Sequence, residues 1–102
     1  MHTKPLANSF QRTDVTSAQA ASALIPSGLL VGGAIPPSVA YLYLVADGQA
    51  LRWTDDGTTP TTATGFYLPV GQSLIIDRGQ FASFKVISTA AGGYADTSAY
   101  TQ

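Results

Sequence analysis

The side chains best suited to chemistry lie just after Arg52, where two adjacent carboxylates, Asp55 and Asp56, precede Gly57. Together with Asp77 from further along the chain, they could supply oxygen ligands to Ca²⁺. The spacing does not match an EF-hand loop, however, and Asp followed by Gly is also what a tight turn requires. We therefore predict no metal site, but a structural turn at Asp55-Asp56-Gly57 that Arg52 braces through a carboxylate or a turn carbonyl.

Catalytic chemistry has few candidates in this chain. The single His, His2, lies at the N-terminus, and there is no Cys. Ser and Thr are plentiful, but no base stands at a recognisable spacing from any of them. Gly32-Gly33 is not followed by the Lys-Ser or Lys-Thr pair of a phosphate-binding loop. We therefore expect no enzyme, no catalytic residues, no cofactor and no small-molecule substrate.

Aromatic side chains suggest a different chemistry, the stacking of sugar rings. Trp53 together with Tyr41, Tyr43, Tyr67 and Tyr94 could form a carbohydrate platform. The alternative is that Trp53 fills the core while the tyrosines occupy a sheet surface or a subunit interface. We favour this alternative, because aromatic residues are the ordinary filling of small β cores. The predicted core residues are Leu51, Trp53, Phe84 and Val86.

Length and charge limit the remaining possibilities. A chain of 102 residues is long enough for one domain. Its net charge of −1 provides no electrostatic footprint for nucleic acid. No apolar run reaches the length of a membrane span. Charged residues make up only 11% of the chain, less than half of the about 25% of ordinary soluble domains. We expect no nucleic-acid or membrane partner, but association with other protein subunits.

The elements that must position these residues are strands. Glu is absent, and Thr, Ser, Gly and Pro recur at short intervals, which disfavours helices. The apolar run 40–46, the turn signal Asp47-Gly48 and the alternating segment 50–54 predict a β-hairpin. Further turn signals follow about every 8–12 residues. This pattern predicts an all-β fold, an antiparallel β-sandwich or small barrel of about seven or eight strands.

The N-terminal segment differs from the rest of the chain. Residues 1–14 show neither a strand nor a helix period, and Leu6 and Phe10 are isolated apolar points. We predict an extended N-terminal arm over 1–14, mobile in the free protein, and a single β-sandwich domain over 15–102. The two apolar side chains would then be buried only on a neighbouring subunit.

A specific resemblance is carried by the run Trp53-Thr54-Asp55-Asp56-Gly57-Thr58-Thr59-Pro60-Thr61. It is preceded by Asp47-Gly48 and Arg52, and followed by Gly65, Leu68, Gly71 and a last strand that ends at Tyr100. Over roughly residues 38–100 the chain resembles small β-sandwich virion proteins of tailed bacteriophages, of the capsid decoration or cement type.

The resemblance implies a structural role on the virion. The expected function is to bind the outer capsid surface and to stabilise the head by bridging subunits of the major capsid protein. The protein would be made in the host cytoplasm and would form a homo-oligomer, with a trimer as the first expectation. Alternatives are a neck or tail structural protein and a carbohydrate-binding module on a tail or fibre. Candidate residues for the capsid or subunit interface are Leu6, Phe10, Tyr41 and Tyr43.

Overall fold

A computed structural model describes residues 4–102. Within this part of the chain, nine strands are joined by loops and three short 3₁₀ helices. The strands are β1 (Lys4–Pro5), β2 (Gln11–Asp14), β3 (Gln19–Ala20), β4 (Val39–Asp47), β5 (Leu51–Thr54), β6 (Phe66–Leu68), β7 (Ser73–Asp77), β8 (Lys85–Ser88) and β9 (Tyr94–Thr101). The 3₁₀ helices are Ala21–Ala23, Ser27–Leu29 and Arg78–Gln80.

The strands form two antiparallel sheets that pack face to face. In the front sheet the order is β1-β9-β4-β7, with β2 also paired to β9; in the back sheet it is β3-β8-β5-β6. Every strand pair is antiparallel. The fold is therefore an all-β sandwich, which confirms the fold class predicted from the sequence.

Alternation along the strands explains how the core is built. In β4, Leu42 and Leu44 are fully buried, while Tyr41 and Tyr43 point to the opposite face. The neighbouring strand β9 contributes small inward side chains, which are Ala95, Thr97 and Ala99. Of the four predicted core residues, Leu51, Phe84 and Val86 are buried, whereas Trp53 is only partly buried and packs against the edge of the core.

The predicted hairpin between β4 and β5 does not form. β4 pairs with β7 and β9 in the front sheet, whereas β5 pairs with β6 and β8 in the back sheet. Asp47-Gly48 is a turn, but it carries the chain from one sheet to the other. Gly48 has a φ of +78°, and a side chain there would collide with the carbonyl oxygen of Gly92. On the far side of the crossing, the backbone N–H of Thr89 donates to the carbonyl of Ala50 at 3.0 Å.

The predicted N-terminal arm is wrong for the residues that the structure describes. Lys4–Pro5 and Gln11–Asp14 both pair with β9, so the division at residue 14 separates no arm from the sandwich. Residues 1–3 of the predicted arm lie outside the described part. The backbone N–H of Leu6 donates to the carbonyl of Ala99 at 2.7 Å, and its side chain packs against the core of its own chain.

The strand β2 was missed because its inward positions are polar. Gln11 and Thr13 are half-buried on the side of the core, and the Nε2 of Gln11 donates to the Oγ1 of Thr13 at 2.8 Å. The same amide group donates to the carbonyl of Ala23 at 2.9 Å. Gln11 and Thr13 are hydrogen-bonded and not apolar, so no hydrophobic alternation marks the strand.

Candidate functional site

The outer side of the front sheet carries a largely apolar surface that we call the tyrosine face: Tyr41, Tyr43, Ile75 and Tyr100. Tyr41 lies opposite Tyr100 on β9, and their rings stack with centroids 5.0 Å apart and planes 9° from parallel. Tyr43 lies opposite Ile75 on β7. Tyr43 is 38% and Ile75 52% exposed, so the face is open to solvent. It is suited to contact another protein surface.

Phe10 borders the tyrosine face. Phe10 directly precedes the β2–β9 ladder, whose first pair is Gln11 opposite Thr97, and the next residue of β9, Ser98, lies opposite Tyr43. Phe10 is 64% exposed. Of the four interface residues predicted from the sequence, the structure thus brings Phe10, Tyr41 and Tyr43 to one side of the molecule. Leu6 is not among them, because it packs inward.

A charged cluster occupies the end of the front sheet beyond the tyrosine face. The Nε of Arg12 donates to Asp96 at 3.0 Å, and its Nη2 forms an ion pair with Asp47. Its guanidinium lies 5.1 Å from the ring centre of Tyr94. The hydrogen bond that Arg12 donates to Asp96 and the charge of Asp47 raise the pKa of Arg12 above its ordinary value. Arg12, Asp47 and Asp96 are thus paired with one another within the chain. The tyrosine face is the less polar part of the sheet.

The predicted turn at Asp55-Asp56-Gly57 is present. Asp56 accepts hydrogen bonds from the Oγ1 of Thr58 at 2.6 Å and from its backbone N–H at 3.1 Å. The hydroxyl bond, followed by the backbone bond, lowers the pKa of Asp56 below its ordinary value. Gly57 has a φ of +87°, which explains the glycine. Asp56 and Gly57 therefore have structural roles in this loop.

Arg52 does not brace this turn. Its Nη1 donates to the carbonyl of Gly65 at 3.2 Å, and its guanidinium lies 4.8 Å from the ring centre of Tyr67. Tyr67 is the cross-strand partner of Arg52 on β6, so both side chains point to the outer side of the back sheet. The prediction is wrong because the strand pairing, and not proximity in sequence, selects the partner.

The turn is held instead from the segment before β8. The Oγ of Ser83 donates to the carbonyl of Asp55 at 2.7 Å. The Nε2 of Gln80 donates to the carboxylate of Asp55 at 3.1 Å, while its Oε1 accepts from the backbone N–H of Asp77 at 2.9 Å. Gln80 thus links two of the acidic residues considered as calcium ligands. Within residues 4–102 no group of three metal-ligating side chains is found.

The aromatic residues considered as a sugar platform lie on different surfaces. Trp53 packs between Phe66 and Phe84 on the inner side of the back sheet, with ring centroids 4.8 and 5.9 Å away. Tyr67 lies on the outer side of the back sheet beside Arg52. Tyr41 and Tyr43 belong to the front sheet. No row of Trp53 with these tyrosines is formed.

A second exposed apolar region was not identified from the sequence. Four exposed apolar side chains belong to β6, β7 and the loop between them, namely Phe66, Tyr67, Val70 and Ile75, with Tyr67 on the outer side of the back sheet and Ile75 on the outer side of the front sheet. We call this region the β6–β7 edge. The sequence signal for this region is the high density of apolar residues in 66–76.

Comparison with known proteins returns no relative. No family model matches the chain, and no curated protein and no solved structure is significantly similar to it. Within residues 4–102, no helix is long and apolar enough to cross a membrane.

Proposed function

We propose that this chain is a capsid decoration protein of a tailed bacteriophage. It binds the outer surface of the head and stabilises it by bridging subunits of the major capsid protein. The proposal joins the resemblance of residues 38–100 to phage virion proteins with one structural observation, the tyrosine face. The chain is made in the host cytoplasm and ends on the virion.

The composition of the tyrosine face supports attachment to protein. Stacked Tyr41 and Tyr100 form a rigid aromatic pair, and exposed Tyr43 and Ile75 extend it across the sheet. Tyrosine is enriched at protein interfaces because its ring supplies apolar area and its hydroxyl still bonds to water or to a partner. The β4–β9 ladder holds the three tyrosines in a fixed arrangement on the central strands of the sheet, and Ile75 lies beside Tyr43 on β7.

The position of Trp53 favours this role over a carbohydrate-binding module. A sugar platform needs coplanar, accessible rings in a row. Trp53 instead contacts Phe66 and Phe84 and packs against the core, away from the tyrosine face. Its ring is used for the stability of the domain.

The mechanism of stabilisation is mechanical. A decoration protein needs a firm surface shape, and the two sheets of this chain provide one. An interface of about 1,600 Å² is sufficient for specific attachment of one copy. When many copies bridge neighbouring capsid subunits, their contributions combine, because release of one contact leaves the others in place. The assembled layer resists the outward pressure of packaged DNA.

The test is binding to purified heads built from the major capsid protein of the same phage. We expect the wild-type chain to co-sediment with heads and to raise the temperature at which they open. Tyr43→Ser should lower occupancy at limiting concentration. Val31→Ser is the matched control, since Val31 is 64% exposed but lies in a short bridge with Ala34 outside both sheets.

Three outcomes contradict the proposal. Failure to bind heads excludes decoration of the shell, and binding to necks or tails alone indicates the neck or tail structural protein. Equal occupancy of the Tyr43→Ser and wild-type chains shows that the tyrosine face is not the attachment surface.

A further inference from the structure

The two lateral edges of the sandwich are protected to different degrees. On one side, β1 contains Pro5, β2 carries the charges of Arg12 and Asp14, and β3 is only two residues long. Proline, charge and short length are the usual protections of an open edge. On the other side, β7 forms the edge of the front sheet with five residues and neither proline nor lysine. Its last residue, Asp77, is its only charge.

The backbone of β7 has free hydrogen-bonding groups directed outward. The N–H of Ala46 on β4 donates to the carbonyl of Gln72 at 3.1 Å. Because successive residues of a strand direct their backbone groups to opposite sides, Leu74 and Ile76 face β4. Ser73 and Ile75 therefore direct N–H and C=O away from the sheet. β4 is the only strand that pairs with β7 within residues 4–102.

We propose that β7 pairs antiparallel with β7 of a second copy of this chain, across a two-fold axis at Ile75. In this register Ile75 lies opposite Ile75 of the partner subunit, and Ser73 lies opposite Asp77 of the partner subunit. The two Asp77 carboxylates are kept apart, and each faces a neutral hydroxyl group. The strand is thus complementary to itself in charge and in polarity, as a two-fold interface requires.

The exposed apolar side chains around β7 fit the same arrangement. β6 is the edge strand of the back sheet and joins β7 through a short loop that carries exposed Val70, so this lateral side of the sandwich holds exposed apolar side chains from both sheets. A second copy on this side covers part of the β6–β7 edge. It also brings Tyr43 and Ile75 of the two copies into one row across a continuous front sheet.

The dimer does not depend on attachment to a capsid. It is a property of the isolated chain, so its test and the binding test on heads fail independently. It differs from the trimer that the family resemblance implies, and the mass in solution separates the two. A self-complementary strand pairing closes with two copies and cannot produce three.

Sedimentation equilibrium at micromolar concentration tests the pairing. We expect wild-type chain at twice its 10.6 kDa. Ile75→Lys places two ammonium groups opposite each other and should give the monomer mass, and so should Ile75→Asp with two carboxylates. Mixing these two variants should restore the doubled mass, since opposite charges then face each other. Val31→Lys, which adds the same charge at an exposed apolar site outside both sheets, should remain dimeric.

Hydrogen exchange of the wild-type chain provides a measurement that needs no variant. We expect the amides of Ser73 and Ile75 to be protected at high protein concentration and to exchange faster on dilution. Leu74, whose amide faces β4, serves as the internal reference and should not change. A monomeric or trimeric wild-type chain, a dimeric Ile75→Lys chain, or exchange at Ile75 independent of concentration would overturn the proposal.

Discussion

The Oγ of buried Ser9 accepts a hydrogen bond from the backbone N–H of Ala99 at 3.0 Å, across 90 residues of sequence. Ser9 lies between β1 and β2, at a point where the N-terminal segment leaves the regular ladder with β9. Its hydroxyl replaces the backbone acceptor that the ladder would otherwise supply. This bond ties the segment between β1 and β2 to β9.

Ser9→Ala should destabilise the domain. The substitution leaves the N–H of Ala99 buried without an acceptor, which costs about 1–3 kcal/mol. Ser38→Ala is the control, because Ser38 is exposed and its loss should leave the free energy of unfolding almost unchanged. Urea unfolding of the two variants and the wild-type chain measures the difference. Equal stability of all three would show that the Ser9 bond contributes nothing.

Deletion of residues 1–14 should lower the melting temperature strongly. The deletion removes β1 and β2, uncovers the edge of β9 and exposes core residues next to Leu6. The free energy of unfolding should fall by several kcal/mol, a large part of the about 5–15 kcal/mol of such a domain. Thermal unfolding followed by circular dichroism measures it. A truncated chain that melts like the full chain would indicate a mobile arm after all.

The sheet crossing at Gly48 should tolerate no side chain. Gly48 and Gly57 have similar positive φ angles, +78° and +87°. A Cβ at Gly57 meets no neighbouring atom, whereas one at Gly48 meets the carbonyl of Gly92. Gly57→Ala should therefore cost only the backbone strain, about 1–2 kcal/mol. Gly48→Ala should cost distinctly more in chemical denaturation, and equal costs would show that the loop at Gly92 moves aside.

Trp53 should contribute less to stability than its size suggests. Phe84 is fully buried, so Phe84→Ala should cost about 3–5 kcal/mol. Trp53 packs on Phe84 but remains partly exposed, so Trp53→Ala should cost about 1.5–3 kcal/mol. Denaturant unfolding of both variants shows which substitution lowers the free energy of unfolding more. A larger loss for Trp53→Ala would place Trp53 in the centre of the core.

The sequence was sufficient for the features that depend on local patterns. Alternation in the segment 50–54 identifies Leu51 as an inward residue, and the composition of Asp55-Asp56-Gly57 identifies a turn. The presence of strands and the positions of turns follow from such short-range signals. The β-sandwich and the buried positions of Leu51, Phe84 and Val86 were therefore predictable.

Features that depend on partner choice were not predictable. Asp47-Gly48 indicates a turn, but a turn that closes a hairpin and one that crosses between sheets need the same residues. The sequence allows Arg52 to contact any nearby acceptor. The register of β5 with β6 places its guanidinium over the ring of Tyr67. Polar inward residues such as Gln11 concealed β2. Each of these relationships is set by tertiary structure.

Acid should weaken two loops for the same physical reason. Asp14 and Asp56 each accept hydrogen bonds from a Thr two residues later, Thr16 and Thr58, through its hydroxyl and its backbone N–H. These bonds favour the ionised carboxylate, so the pKa of each Asp is lowered below the 3.8 of a free side chain. A pKa that is lower in the folded state contributes stability that is present above pH 3.8 and is lost as the pH falls through the folded-state pKa.

Thr58→Val tests the larger of the two causes at Asp56. The variant removes the hydroxyl donor and keeps the backbone N–H, so the titration midpoint of Asp56 should rise toward 3.8 in carboxyl-resolved NMR. Asp14 is the control within the same sample, because its own partner Thr16 is unchanged, and its midpoint should stay low. The acid-induced fall in melting temperature should also be smaller in the variant than in the wild-type chain, because the pKa of Asp56 then differs less between the folded and the unfolded state. An unchanged midpoint at Asp56 would mean that the Thr58 hydroxyl does not stabilise the carboxylate.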